Sequence, residues 1–130
     1  MPAGTMQPCS ATILLVDDDP QIVRALRPAL EVNGLDVTVA SCGRAAMEHA
    51  ERSAWHAAIV DLGLPDMDGR QIIRYLTEER DTPVIVISAQ DFTVAANAAG
   101  RAVVDFFQKP FRTPELVDRL RQLLAQASHS

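Results

Sequence analysis

Ala57, Ala58, Ile59 and Val60 are small or β-branched, carry no polar alternation, and run straight into a carboxylate, Asp61. Such a run suits a strand buried on both faces inside a parallel sheet, because a half-solvated strand would alternate with polar residues. Gly63, Pro65, Asp66, Asp68 and Gly69 then supply turn chemistry. Asp61 is thereby placed at the carboxyl end of a central strand, the edge of an open α/β sheet where ligands bind.

The pattern recurs along the chain. Residues 13–16 are wholly apolar and end on Asp17, Asp18 and Asp19; residues 84–87 end on Ser88; residues 103–107 lead into Gln108, Lys109 and Pro110. Residues 35–40 alternate weakly and read as one more strand. Helical stretches separate these runs. Asp19-Pro20 is an N-cap followed by proline at the first helical position, and Ile22, Val23, Leu26 and Leu30 form an apolar stripe that stops at Asn33-Gly34. Pro28 falls inside this helix, where it removes the bond to the Arg24 carbonyl and predicts a kink or bend. Residues 43–52 read as a helix with Ala46, Met47 and Ala50 inward. Met67 or Asp68 opens another, with Ile72, Ile73 and Leu76 inward, residues 77–80 as its polar end and Thr82-Pro83 closing it. Residues 91–99 read as a helix of small residues broken by Gly100, and Thr113-Pro114 starts a last helix striped by Leu116, Leu120, Leu123 and Leu124. Strands alternating with helices in this way imply right-handed crossovers and a parallel sheet covered on both faces.

A chain of 130 residues holds one such domain. Residues 1–11 are expected to be a loose tail, 12–126 the domain and 127–130 a second tail. The net charge of −5, with twelve scattered Lys and Arg, argues against direct nucleic-acid binding, since phosphate contacts need clustered cations. No apolar run approaches the roughly 20 residues of a membrane span, and MPAGTMQPCSAT lacks the features of a signal peptide, so no membrane insertion and a cytoplasmic location are expected. Cys9 and Cys42 read as free thiols, and His49, His56, Trp55 and His129 as structural or surface residues.

In a parallel sheet the ends carrying Asp17, Asp18, Asp61, Ser88 and Lys109 converge. Two carboxylates 4 Å apart in a partly dry crevice repel by roughly 4 kcal/mol at an effective dielectric of about 20. Lys109 alone cannot balance three of them, whereas a divalent cation can, and an all-oxygen cluster with room for water suits Mg²⁺. Asp18 and Asp61 are assigned as direct ligands, Asp17 as a ligand through water, and the Gly63 carbonyl as a backbone ligand. One Asp61 oxygen then remains to attack an electrophile. A metal, a lysine and a hydroxyl around it are the parts that phosphoryl transfer uses, and the implied product is an aspartyl phosphate.

At this point ILLVDDDP, DLGLPDMDG, VIVISA and DFFQKPF, taken jointly and in order, resemble the motifs of the receiver domain of bacterial two-component response regulators, the CheY-like family, over residues 12–125. The resemblance implies a flavodoxin-like, doubly wound five-stranded parallel sheet of order 2-1-3-4-5 with five helices. It implies that Asp61 accepts a phosphoryl group from a histidine kinase or phosphotransfer protein, and that Asp17 and Asp18 are the acid pair that organises Mg²⁺. By the same resemblance Ser88 and Lys109 bond phosphoryl oxygens, Phe106 is an aromatic switch, and Lys109-Pro110 is a cis peptide. Activation would shift a population between two states and change a protein-binding surface around the fourth and fifth helices and the fifth strand. Gly63 and Gln90 flank the site where the family tunes its self-dephosphorylation.

The chain also departs from the family. Ala102-Val103 replaces its usual Gly-Ala, and residues 91–99 carry almost no charge where winged-helix regulators place dimer contacts. A homodimer stays open, and Val94, Ala95, Ala98 and Phe106 offer an apolar surface to an unknown downstream protein. Asp66 to Gly69 is not a calcium loop, because Thr77 stands where a bidentate acid is needed, nor a haloacid-dehalogenase motif, because Gly63 stands where the second acid is needed. The expectation is a stand-alone regulator or phosphorelay intermediate whose own chemistry is confined to self-phosphorylation and self-dephosphorylation. Its rivals are an isolated receiver of a longer transcription factor or hybrid kinase and, in another class, a Mg²⁺-dependent small-molecule phosphatase.

Overall fold

The computed structural model describes residues 11–89 and 103–128. Their order is β1 (Thr12–Val16), α1 (Pro20–Val32), β2 (Asp36–Ala40), α2 (Gly43–Arg52), β3 (Ala57–Asp61), α3 (Gly69–Arg74), a π turn (Tyr75–Glu79), β4 (Val84–Ser88), β5 (Val103–Gln108) and α4 (Thr113–Ser128). The strands form one parallel five-stranded sheet of order β2-β1-β3-β4-β5, the flavodoxin-like order expected. Gln90, the expected helix over residues 91–99 with Val94, Ala95 and Ala98, and Ala102 lie outside the described residues.

The missing polar alternation has a direct cause. Successive side chains point to opposite sheet faces, and both faces are covered. Leu14, Val16, Ala58, Val60, Val84 and Val86 pack with Ala46, Ala50, Ile72, Ile73 and Leu76 of α2, α3 and the π turn. Ile13, Leu15, Ala57, Ile59, Ile85 and Ile87 pack on the other side with Leu26 and Leu30 of α1 and with Leu116, Val117, Leu120 and Leu123 of α4. Every residue of β3 is buried, as is every residue of β4, which places Asp61 at the end of a strand enclosed along its whole length.

α1 starts as its sequence dictates. The Asp19 side chain accepts the Gln21 N–H at 2.9 Å, and Pro20 occupies the first turn. It ends in a Schellman turn: Gly34, at φ +81°, donates to Glu31 O at 2.9 Å, and Leu35 donates to Leu30 O at 3.2 Å. That second bond ties Leu35 back to the helix, so β2 starts at Asp36 and not at residue 35. α1 runs unbroken through Pro28 to Val32. Pro28 and Arg24 are both exposed, which leaves the unpartnered Arg24 carbonyl open to water. Pro28→Ala restores a backbone donor at an exposed position, so chemical denaturation is expected to show a gain of about 2 kcal/mol, less the entropy proline removes from the unfolded chain.

The polar end foreseen over residues 77–80 takes the form of the π turn. Thr77 Oγ1 donates to Ile73 O at 2.9 Å, competing for the carbonyl that the α-helical N–H of residue 77 would use. Leu76 stays buried, and its carbonyl accepts the Thr82 N–H at 2.8 Å. The last helix begins at Thr113 itself and reaches Ser128, so the first two residues of the expected second tail are helical.

Candidate functional site: an acidic crevice at the carboxyl edge of the sheet

Backbone pairing continues one residue past three strands and fixes the site. Asp17 N donates to Ala40 O at 3.1 Å, Leu62 N to Ile87 O at 3.1 Å, and Lys109 N to Ser88 O at 2.8 Å. Asp17, Asp61, Ser88 and Lys109 are therefore brought to one edge by the sheet itself. A crevice of about 490 Å³ opens there, lined by Asp18, Asp19, Asp61, Gly63, Ser88, Ala89 and Lys109. The polar residues at this edge are sunk into the core, with Asp17 1%, Ser88 2% and Asp61 4% exposed. Asp18 is exposed.

Each acid has its own setting. Asp61 Oδ1 accepts the Gly63 N–H at 3.1 Å and its Oδ2 accepts from Lys109 Nζ at 3.0 Å. Asp17 Oδ1 accepts the Asp19 N–H at 2.9 Å. Its Oδ2 lies 3.0 Å from Lys109 Nζ as an ion pair, yet this buried oxygen receives no well-directed hydrogen bond. Ligand oxygens of Asp17, Asp18 and Asp61 lie within 4.8 Å of one another. Three carboxylates, one ammonium and a buried oxygen short of a donor make a donor set that fits a small, hard divalent cation.

Burial is the largest influence on Asp17 and pushes its pKa up from 3.8 to about 6; the Asp61 charge adds to the rise, while the Asp19 N–H and Lys109 restrain it. For Lys109 burial works against the charge, but the bonds and charges of Asp17 and Asp61 outweigh it and hold the ammonium pKa above 10.5. An acid whose folded pKa exceeds its unfolded value binds its proton more tightly in the native state. The metal-free fold therefore loses stability as pH rises from 3.8 through about 6. Thermal melts of metal-free protein are expected to show this fall, and an Asp17→Asn variant to lack that component of it; an unchanged pH profile in the variant would assign the slope to other groups.

The loop after Asp61 folds back on itself. Gly63 and Asp68 form an isolated bridge, and Gly69 N donates to Leu62 O at 3.3 Å. A Cβ on Gly69 would stand 2.5 Å from Asp61 O and 2.9 Å from Leu62 Cα, so only glycine permits this approach. Asp68 caps α3 through the Arg70 N–H at 3.0 Å.

The structure thus gathers Asp17, Asp18, Asp61, Gly63, Ser88 and Lys109 at one place. Phe106 stands apart, half-buried on β5 and packed on the α2 and α3 side of the core. The Lys109-Pro110 bond is cis. His56 is structural: its Nδ1 accepts the Thr12 N–H at 2.9 Å. Trp55 Nε1 donates to His49 O at 3.0 Å. Sequence reasoning missed Asp66, whose carboxylate reaches across to the first turn of α2. The available signal was Cys42, a poor N-cap that begged for a partner elsewhere.

Comparison with known proteins bears on this geometry. The family model for the response regulator receiver domain matches residues 13–121. The transcriptional regulatory protein KdpE of Mycobacterium tuberculosis is 41% identical over 110 residues, covering 84% of this chain and 49% of that protein. TrcR of the same organism, also a transcriptional regulatory protein, is 37% identical over 120 residues, covering 90% of this chain and 46% of its own. The chain spans about half the length of these relatives. The receiver domain of Francisella response regulator 1452 superposes with a TM-score of 0.82 at 29% identity, over 91% of this chain and 99% of that one.

Proposed function

This chain belongs to the response regulator receiver domain family, and from that premise we propose that it accepts a phosphoryl group on Asp61 from a histidine kinase or phosphotransfer protein. The observation that carries the proposal is the setting of Asp61: a carboxylate 4% exposed at the end of β3, paired with Lys109 at 3.0 Å, on the wall of an open crevice. A carboxylate has about four lone-pair sites, so both Asp61 oxygens retain attacking capacity beside their present partners.

Asp18, Asp61 and the Gly63 carbonyl would hold Mg²⁺ directly and Asp17 through water, and the bound ion would neutralise charge on the phosphoryl oxygens. Asp61 attacks phosphorus; the new bond is O–P, and the bond to the donor breaks with its electron pair leaving on the donor. Lys109, already charged, turns from Asp61 Oδ2 to a phosphoryl oxygen. Ser88 donates its hydroxyl to another. Those new charge-assisted bonds bias the segment after β4, and with it Phe106, toward a second arrangement. The surface changed would lie around β5, α4 and the expected helix at residues 91–99, for a downstream protein partner.

Incubation with Mg²⁺ and acetyl phosphate or phosphoramidate is expected to add one phosphoryl group, read by intact mass. No label from either donor, in protein shown separately to bind Mg²⁺, would overturn self-catalysed uptake. Steady turnover of a phosphate ester would favour the phosphatase instead. A second reading rests on the length of the relatives: this receiver serves as the input module of a longer transcriptional regulator. Immunoblotting of the native cell tests it, since that reading expects a band well above 14.2 kDa.

A further inference from the structure

α2 begins without a cap of its own. Cys42 stands at its N-cap and makes no capping bond through its side chain. The first two helical N–H groups are taken instead by a residue more than twenty positions ahead: Gly43 N donates to Asp66 Oδ1 at 2.7 Å and Arg44 N to Asp66 Oδ2 at 3.0 Å. The Gly43 bond first, then the Arg44 bond, hold the exposed Asp66 carboxyl below its usual range. A bidentate carboxylate at a helix N-terminus is a strong, charge-assisted clamp.

The other end of the clamp matters. Asp66 sits in the β3–α3 loop, between Gly63 and Asp68, which pair with each other. Gly63 N holds Asp61 Oδ1 at 3.1 Å, and Gly63 lines the crevice. The loop is therefore pinned at its start by Asp61, at its neck by Gly63 and Asp68, and at its tip by Asp66 on α2. We propose that Asp66 is a positioning residue: by clamping the loop tip to α2 it fixes the Gly63 carbonyl and the Asp61 carboxylate in the arrangement that receives a divalent cation. The inference rests on the proposed Mg²⁺ site, and it assigns Asp66 a role at that site through Gly63, without contact to the ion.

The rival explanation is that Asp66 merely stabilises α2, and the chain itself provides the means to separate the two. Asp66→Ala removes both clamp and cap; Cys42→Ser in that background returns a local cap and leaves the loop tip free. Asp66→Asn keeps an acceptor but loses the charge. Mg²⁺ affinity by isothermal titration, thermal melting, and amide exchange of residues 62–68 in metal-free protein would be measured on all four proteins. Asp66→Ala is expected to bind Mg²⁺ about tenfold more weakly, the size of effect seen when a ligand's supporting partner is lost. It is also expected to exchange its loop amides faster. Asp66→Asn should fall between parent and alanine variant. Adding Cys42→Ser should recover the melting temperature while affinity and exchange stay impaired. Recovery of all three by Cys42→Ser, or an Asp66→Ala protein that matches the parent in affinity and loop exchange, would overturn the proposal. A parent that binds no Mg²⁺ would instead sink the reading of the site on which it stands; the loop exchange, measured without metal, would still report whether Asp66 clamps the loop.

Discussion

An Asp61→Asn variant is expected to keep its unmodified mass after incubation with Mg²⁺ and acetyl phosphate, under conditions where the parent gains one phosphoryl group. The amide fills the same volume, and its oxygen can still accept the Gly63 N–H that Asp61 Oδ1 holds at 3.1 Å. The fold therefore persists while the anionic nucleophile is gone, and loss of a nucleophile costs at least about ten-thousandfold in rate. The parent's label should resist mild acid and be lost in base or hydroxylamine, as expected for a mixed anhydride of a carboxylic and a phosphoric acid. Equal labelling of variant and parent would move the acceptor elsewhere, with exposed Asp18 the nearest alternative.

Lys109→Met should act on three observables in different directions. Methionine keeps the apolar stem and removes the charge that pairs with Asp17 and Asp61 at 3.0 Å each. Breaking a buried pair by deleting one partner costs about 3–5 kcal/mol. Part of that is recovered because Asp17, already raised to about 6, takes up a proton once the ammonium is gone. The metal-free variant is thus expected to be less stable by roughly 3 kcal/mol above neutral pH, and by much less near pH 5 where Asp17 is protonated in both proteins. Its Mg²⁺ affinity should rise, since the carboxylates no longer share their charge with lysine. Its phosphoryl uptake should fall by about a hundredfold to a thousandfold, since a preorganised positive charge is missing where negative charge develops. A general folding defect cannot raise metal affinity while lowering phosphoryl uptake; parallel losses in both would refute this division of roles for Lys109.

Mg²⁺ should also remove most of the penalty of burying Asp17. Stabilisation by the ion is expected to be large above about pH 6 and to fade below it, because the proton and the cation compete for the same oxygens. Equal stabilisation on both sides of that pH would place the ion away from Asp17.

Much of this molecule was legible along the chain because its causes are local. The Asp19-Pro20 start and the Asn33-Gly34 stop rest on bonds spanning only a few residues, and the structure reproduces them; of Met67 and Asp68, it makes Asp68 the cap of α3. The apolar runs of β1, β3 and β4 announced burial on both faces, because a polar residue on either face would have lost water without gaining a partner. Once strand ends were located, a parallel sheet left them no option but to share an edge.

Other features depend on distances in space that no local rule encodes. The Thr77 hydroxyl had two helical carbonyls within reach, and the structure shows it on both, at 2.9 Å to Ile73 O and 3.4 Å to Arg74 O, in a turn that is π. Pro28 predicted a kink or bend from backbone bonding alone; the structure keeps one continuous helix from Pro20 to Val32 around it, with Leu26 and Leu30 buried in the cluster that includes the sheet and α4. Asp66 looked like turn chemistry; the approach of two loops made it the cap of α2. The sequence by itself determined which groups stand at the sheet's carboxyl edge, since that follows from strand length and chain direction. Only the tertiary structure decided how those groups share charge: Lys109 pairs with Asp17 and Asp61 at once, and Asp17 holds its proton to about pH 6. Burial and Coulomb energy depend on separation and solvent access, and both are created when the strands assemble.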